Sequence, residues 1–265
     1  LAAHPNPDRI AVIGWGSGLT THTLLGSPAP KVVDSIEIER AMVDGASLFG
    51  DRVARGYNDP RSRIHIDDAR TYFSTGQRKY DVIVSEPSNP WVSGVASLFT
   101  EEFYRTLHGK LQDDGVLVQW LQSYELSDPL LATMLAALHA EFPHIDVYLT
   151  NSADLLFVSS RSPLPPLDAG RLAEPALAAE LARVGLAGNG DYAVRRIGSR
   201  DLVGALVTLS GVGPHSDFHP VVALEAPKAR FMGATARQML TLMSLGVPVL
   251  EMTDGRTPVP LDQPV

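Results

Sequence analysis

Residues 9–18 read R-I-A-V-I-G-W-G-S-G, an apolar run closed by Gly14, Gly16 and Gly18. Five apolar or half-apolar residues bounded by glycine have the length of a buried strand, and Ser17–Leu25 then reads as a helix. Glycine between a strand and a helix lets the chain turn sharply and bring its backbone close to a nucleoside. G-x-G-x-G by itself is common. Here Glu37 follows Gly18 by nineteen residues, at the end of the next expected strand, Val32–Ile38. A carboxylate at that place accepts two hydrogen bonds from ribose hydroxyls. The competing reading is a tight turn plus a surface acid.

Outward from this stretch, strand and helix signals alternate with little intervening chain. A helix is expected at Arg40–Phe49, a third strand at Arg63–Asp67 and a helix to about Ser74. Tyr80–Glu86 reads as the fourth strand, Glu101–Leu111 as helix, Gly115–Leu121 as the fifth strand and Asp128–Phe142 as a long apolar-faced helix. Ile145–Thr150 and Leu155–Ser159 are close enough to pair antiparallel. Such alternation predicts an α/β fold: parallel crossover units in a seven-stranded, mostly parallel sheet with an antiparallel final strand, covered on both faces. Ser162–Pro166 (S-P-L-P-P) is a breaker-rich linker, so the expected domains are 1–162 and a mainly helical extension, 163–265. In that extension Asp168–Leu186, Asp201–Leu209 and Ala229–Leu245 read as helices. His215–Ala226 reads as a turn with a short strand, and Thr253–Val265 as a fraying tail.

The chain has 265 residues, 22 Lys+Arg against 30 Asp+Glu, a formal charge of −8 and no cysteine. The acidic balance argues against nucleic acid as a partner and for a small cationic one. The missing cysteines exclude disulfides, thiolate nucleophiles and cysteine-based zinc sites. His215 and His219 flank Asp217 at a spacing that suits a metal on a helix. Pro220 follows at once, so they are read as turn histidines and no metal is expected.

Two further strand ends carry chemistry. Asp67-Asp68-Ala69 closes the third strand, where ligands bind in open parallel sheets. Asp68 is the candidate for an adenine amino group, and helix N-capping by either aspartate is the competing reading. Ser85-Glu86-Pro87-Ser88-Asn89-Pro90-Trp91 leaves the fourth strand stiffened by two prolines. Glu86 is placed to take a proton from an attacking amine, and Asn89 to orient that amine. Trp91 and Gln119 are candidate substrate contacts. For Trp120 a core position is the favoured reading.

In this order the motifs resemble those of the polyamine aminopropyltransferases, the spermidine synthase family, from about Arg9 to Ser160. The matching pieces are G-W-G-S-G, Glu37-Ile38-Glu39, Asp67-Asp68-Ala69, Glu86–Pro90, Leu98–Tyr104 (L-F-T-E-E-F-Y) and Val118-Gln119. The resemblance implies the S-adenosylmethionine-dependent methyltransferase-like Rossmann fold. It also implies decarboxylated S-adenosylmethionine as co-substrate, lying over Gly14, Gly16, Ser17 and Gly18, with Glu37 on its ribose and Asp68 on its adenine. Glu86 falls where the family keeps its base. Ser17 and Asn89 stand where the family has aspartates, and Glu86 is one methylene longer than the family's Asp. Thr150–Ala153 replaces a Tyr-Pro-Gly stretch, and the family's small N-terminal β domain has no counterpart here.

The implied activity is aminopropyl transfer to a polyamine or other amine. One alternative is an S-adenosylmethionine-dependent N-methyltransferase, since Ser88–Trp91 also resembles an N-P-P-Y loop, although Val12 stands where those enzymes carry an acid. The other is a non-catalytic nucleoside or polyamine binder. S-E-P-S-N-P-W together with Ser216–Pro220 is similar to spermidine synthase-like domains fused to bacterial membrane segments. The chain begins Leu1-Ala2-Ala3-His4 without Met, which fits a fragment of such a protein. The expected location is cytoplasmic, with any membrane attachment outside this chain and homodimerisation left open.

Overall fold

The computed structural model describes residues 1–151, 153–186, 188–238 and 241. The elements in chain order are β1 (Arg9–Ile13), α1 (Leu19–Leu24), β2 (Val32–Glu37), α2 (Arg40–Ala46), α3 (Ala54–Asn58), β3 (Ser62–Ile66), α4 (Ala69–Thr75) and β4 (Tyr80–Ser85). There follow α5 (Glu101–Lys110), β5 (Leu111–Gln122), α6 (Asp128–Glu141), β6 (His144–Leu149) and β7 (Asp154–Ser160). The remainder is α7 (Ala169–Leu172), α8 (Pro175–Ala182), α9 (Asn189–Ala193), β8 (Arg196–Ser199), α10 (Arg200–Ser210) and α11 (Val221–Phe231). Single 3-10 turns occupy Ser47–Arg52 and Val95–Phe99. No helix among the described residues is long and apolar enough to cross a membrane.

The chain forms two compact units: 1–86 with 109–118 and 165–192, and 87–108 with 119–164 and 193–265. In the first the strand order is β3-β2-β1-β4-β5, with β1 parallel to both β2 and β4 and β2 parallel to β3. Ile10 and Val12 of β1 bury with Val33, Val82, Val84, Leu24 and Leu25. Trp15, Val43 and Ala46 form a separate cluster with Tyr57 and Ile64. Strands buried on both faces read as continuous apolar runs, which is why β1 and β4 are legible without alternation. In this unit Glu180 of α8 meets α1 and α3, 3.2 Å from His22 Nε2 and 3.3 Å from Arg55 Nη1.

The second unit takes up β5 at residue 119 and continues β5-β7-β6-β8, with β6 antiparallel to β7 and to β8. Its central helix, α6, buries nine consecutive residues from Leu130 to Leu138. The sheet thus has eight strands, one more than expected. The extra one, β8, is four residues long and lies in the extension read as helical. A strand that short carries no period. Its Gly198 makes room for Leu202, whose Cδ2 would stand 2.4 Å from any added Cβ.

A second correction is α11, which occupies Val221–Phe231 where a turn and short strand were expected. Val221-Val222 and the internal Pro227 argue locally against helix. Burial of Val222, Ala226 and Ala229 outweighs them. The helix expected over Ala229–Leu245 is not continuous: α11 ends at Phe231 and Gly233 turns with φ 61°. The rest of that segment beyond residue 238 and the tail Thr253–Val265 lie outside the described residues, apart from residue 241.

Asp34, on β2, is fully buried. His65 Nε2 lies 2.8 Å from its Oδ1, Tyr80 donates to its Oδ2 at 3.3 Å, and Arg9 and Arg78 approach to 3.8 and 3.9 Å. Burial pushes the Tyr80 phenol far above its ordinary value, so it stays a donor. A buried carboxylate persists only with such partners. Asp34→Ala takes this carboxylate from His65, Tyr80, Arg9 and Arg78 and is expected to lower the unfolding free energy by about 3 kcal/mol. Urea denaturation followed by circular dichroism checks this.

Candidate active site

In the first unit the C-terminal ends of four strands are laced together by backbone hydrogen bonds. Gly14 N donates to Ile36 O at 2.9 Å, Glu86 N to Ile13 O at 2.9 Å and Asp67 N to Glu37 O at 3.0 Å. This edge brings together the glycine turn, Glu37, the Asp67-Asp68 pair and Glu86. Gly14, Gly16 and Gly18 all adopt positive φ, at 91°, 51° and 79°. An L side chain is disfavoured at each.

Trp15 is buried inside this turn, edge-on to Tyr57 with ring centroids 5.2 Å apart, and its Nε1 donates to the Tyr57 hydroxyl at 3.2 Å. A Cβ on Gly18 would stand 2.7 Å from the Trp15 ring. Trp15 N donates to Glu37 Oε2 and Glu39 N to Glu37 Oε1, each at 2.9 Å. Two backbone amides thereby hold the Glu37 carboxylate at the mouth of the turn. Gly16 has nothing within 4 Å of a notional Cβ, so its backbone is open to a ligand. Ser17 is exposed, and its Oγ accepts from Leu19 N at 3.4 Å.

Asp68, not Asp67, is the N-cap of α4: its Oδ1 accepts from Thr71 N at 2.8 Å. Asp67 Oδ1 accepts from the Asp68 amide at 2.8 Å. The capping role foreseen for one member of the pair therefore falls on the residue expected to meet adenine.

Glu86 follows β4. Thr20, in the first turn of α1, donates its hydroxyl to Glu86 Oε2 at 2.6 Å. The residue as a whole keeps partial exposure, but its carboxyl group is shielded. Burial pushes the carboxyl above its ordinary value, and the Thr20 hydrogen bond opposes part of that rise. A half-shielded carboxylate with one oxygen occupied by a hydroxyl is suited to take a proton on the other.

The second unit carries the remaining candidates. Asn89 is half-buried, and its carbonyl accepts from Val92 N at 2.9 Å. Trp91 is half-buried, with the Arg230 guanidinium carbon 5.1 Å from its ring centroid. Gln119 is fully buried, and its Nε2 donates to Trp120 O at 2.8 Å. Trp120, read as a core residue, is half-buried.

His215 is fully buried and pins the S-D-F-H-P segment. Its N donates to Thr133 O and its O accepts from Glu101 N, both at 2.9 Å, and its ring Nε2 lies 3.0 Å from Ala96 O. Burial pulls its imidazole below the ordinary value, so the ring is neutral and Nε2 is the donor. His219 is exposed, and neither histidine lies on a helix.

Sequence reasoning missed Thr20, Trp15 and Tyr57. The Thr20 contact joins residues 66 positions apart and has no local signal. The Trp15 plug was detectable in principle, as a bulky aromatic set between glycines.

The model of the spermine/spermidine synthase domain matches residues 1–153. The polyamine aminopropyltransferase of Nitrosomonas europaea is 33% identical over 147 residues, covering 55% of this chain and 45% of that protein. That of Leptospira biflexa is 29% identical over 150 residues, covering 57% and 53%. The chain thus spans about half the length of these relatives. Among solved structures, spermidine synthase from Thermotoga maritima superposes with a TM-score of 0.55 at 24% identity, covering 65% of this chain and 60% of that one. A spermidine synthase in complex with the transition-state analogue AdoDATO gives 0.57 at 24%, covering 65% and 61%. Human methyltransferase-like protein 13 in complex with SAH gives 0.51 at 23%, covering 67% and 82%. At these identities the structures establish the fold, a methyltransferase-like Rossmann architecture, and the family model establishes the kinship. Over residues 1–153, more than half its length, the chain belongs to the spermine/spermidine synthase domain family.

Proposed function

We propose that this chain transfers an aminopropyl group from decarboxylated S-adenosylmethionine to an aliphatic amine, with Glu86 as general base. The observation that carries the reading is the Glu86 carboxylate. It is shielded from water, held by Thr20, and shares one sheet edge with the glycine turn and Glu37. The curated relatives named polyamine aminopropyltransferase support the same activity. All residues given a role here fall within 1–162, which we take as the catalytic domain.

The donor lies over Gly14, Gly16, Ser17 and Gly18. Glu37, its oxygens already aligned by two amides, accepts from the ribose, and Asp68 from the adenine. An aliphatic ammonium has a pKa near 10, like that of Lys, and is no nucleophile until it loses a proton. Glu86 accepts that proton. The freed lone pair attacks the carbon next to the sulfonium, and the C–S bond breaks. Its electron pair neutralises the sulfur, and methylthioadenosine departs uncharged. Asn89 orients the amine through its side-chain carbonyl, Trp91 and Gln119 bound the acceptor side, and no metal takes part.

A second reading, methyl transfer from intact S-adenosylmethionine, draws on one residue. Ser17 presents a hydroxyl where the family's acid would repel the donor's carboxylate. Titration calorimetry with the two donors separates the readings. Binding of the decarboxylated donor with methylthioadenosine as product supports the proposal, whereas binding of the intact donor alone refutes it.

Glu86→Gln is expected to lower turnover about 100-fold or more while donor affinity stays nearly constant. Steady-state kinetics beside donor titration read both quantities. Because burial raises the Glu86 carboxyl, activity is expected to fall on the acid side from a pH above the ordinary carboxylate range. Thr20→Val removes the hydrogen bond that opposes the rise, so the acid limb moves to still higher pH. Thr20→Ser restores it. An unmoved acid limb in the pH–rate profile of Thr20→Val would count against Glu86 as the titrating base.

A further inference from the structure

We propose that Trp91 and Glu125 form a seat for an alkylammonium group of the amine acceptor, and that the side chain of Arg230 fills this seat in the structure described. The inference rests on the amine-transfer reading and adds two residues to it. Three observations within the second unit converge.

The first is the cation on the aromatic face. The Arg230 guanidinium carbon sits 5.1 Å from the Trp91 ring centroid, within the range where the ring quadrupole attracts a cation. The second is the carboxylate behind it. Arg230 Nε lies 3.5 Å from Glu125 Oε2, with both side chains substantially exposed. An aromatic face with a carboxylate beside it suits an aliphatic ammonium as well as a guanidinium. Arg230 belongs to the last turn of α11, so its long side chain can leave for solvent without opening a hole in the core.

The third is backbone strain. Glu125 has φ 54°, the only positive φ at a non-glycine residue among those described. That conformation is costly for a glutamate and persists only where its neighbours enforce it. They do so here. Ser123 N donates to Ala153 O and its carbonyl accepts from Ala236 N, each at 2.8 Å. Tyr124 bridges to Thr235, and Leu126 is fully buried. The chain on both sides is fixed, and the strain goes into aiming the Glu125 carboxylate at Arg230. A simple surface ion pair, worth little in water, would not require it.

Trp91 also borders a cavity of about 430 Å³ whose wall includes Pro220, Ala223 and Pro227, with Asp217 at its rim. Such a cavity gives the methylene chain of a diamine or polyamine an apolar path away from the seat.

Titration calorimetry of the full chain with spermidine and putrescine tests this, with uncharged 1,4-butanediol as control. Arg230→Gln is expected to bind both amines about twofold to fivefold more tightly than the wild type, the range that displacing one exposed cation–π contact allows. Arg230→Lys keeps a resident cation and is expected to match the wild type. Adding Glu125→Gln to Arg230→Gln is expected to abolish the gain. Amine affinity that is unchanged or weaker in Arg230→Gln overturns the proposal, as does an equal gain for butanediol. Donor titration of the same proteins keeps the two readings apart. A wild type that binds neither donor defeats the transfer reading, whereas retained donor binding without a gain in amine affinity defeats only the seat.

Discussion

The indole of Trp15 is wedged between the glycine turn and α3, and the turn at the end of the first strand is built around that wedge. A Cβ on Gly18 would stand 2.7 Å from it and one on Gly56 2.8 Å, so both positions require glycine. Tyr57 closes the wedge by accepting the indole N–H and donating to Val43 O at 2.6 Å. With the indole buried, the Trp15 amide points at Glu37, and the three left-handed glycines leave Gly16 open. This chain builds its glycine turn around a packed aromatic. The rigidity of the turn comes from packing as well as from loop geometry.

Two shielded carboxylates in the first unit are treated in opposite ways. Asp34 is surrounded by His65, Tyr80, Arg9 and Arg78, so its charge is answered from several sides. Glu86 receives one hydroxyl, from Thr20, and burial prevails. A carboxylate with many partners serves structure. One with a single neutral donor is poised to gain a proton.

Asn89 and Thr150–Ala153 lie in the second unit, Ser17 and Glu86 in the first. In the second unit α6 is buried from Leu130 to Leu138, and His215 is anchored between Thr133, Glu101 and Ala96, the last within the Pro90–Phe99 segment. With Asn89 in place of an acid, negative charge in this unit is carried instead by residues such as Glu125 and Asp217. Sequence order alone does not connect these with the loop.

How much was legible in the residues follows from the range of the forces involved. Strands β1 to β7 and the helices between them other than α3 were readable because apolar runs and glycine punctuation are local signals, and the family motifs ride on them. The positions of Gly14, Gly16, Gly18, Glu37 and Glu86 at one sheet edge followed from strand order. By contrast, β8 and α11 depended on burial against distant partners, which overrode a short length in one and Pro227 with β-branched residues in the other. Which aspartate caps α4 was a matter of one backbone turn, and the sequence offered two equal claimants. The sequence alone determined the fold class and the kinship, since these reside in order and spacing. Only the tertiary structure decided that Thr20 holds Glu86, that Trp15 plugs the glycine turn and that Arg230 lies on Trp91. Each of these joins residues far apart in the chain, and only packing brings them within a hydrogen bond or a van der Waals contact.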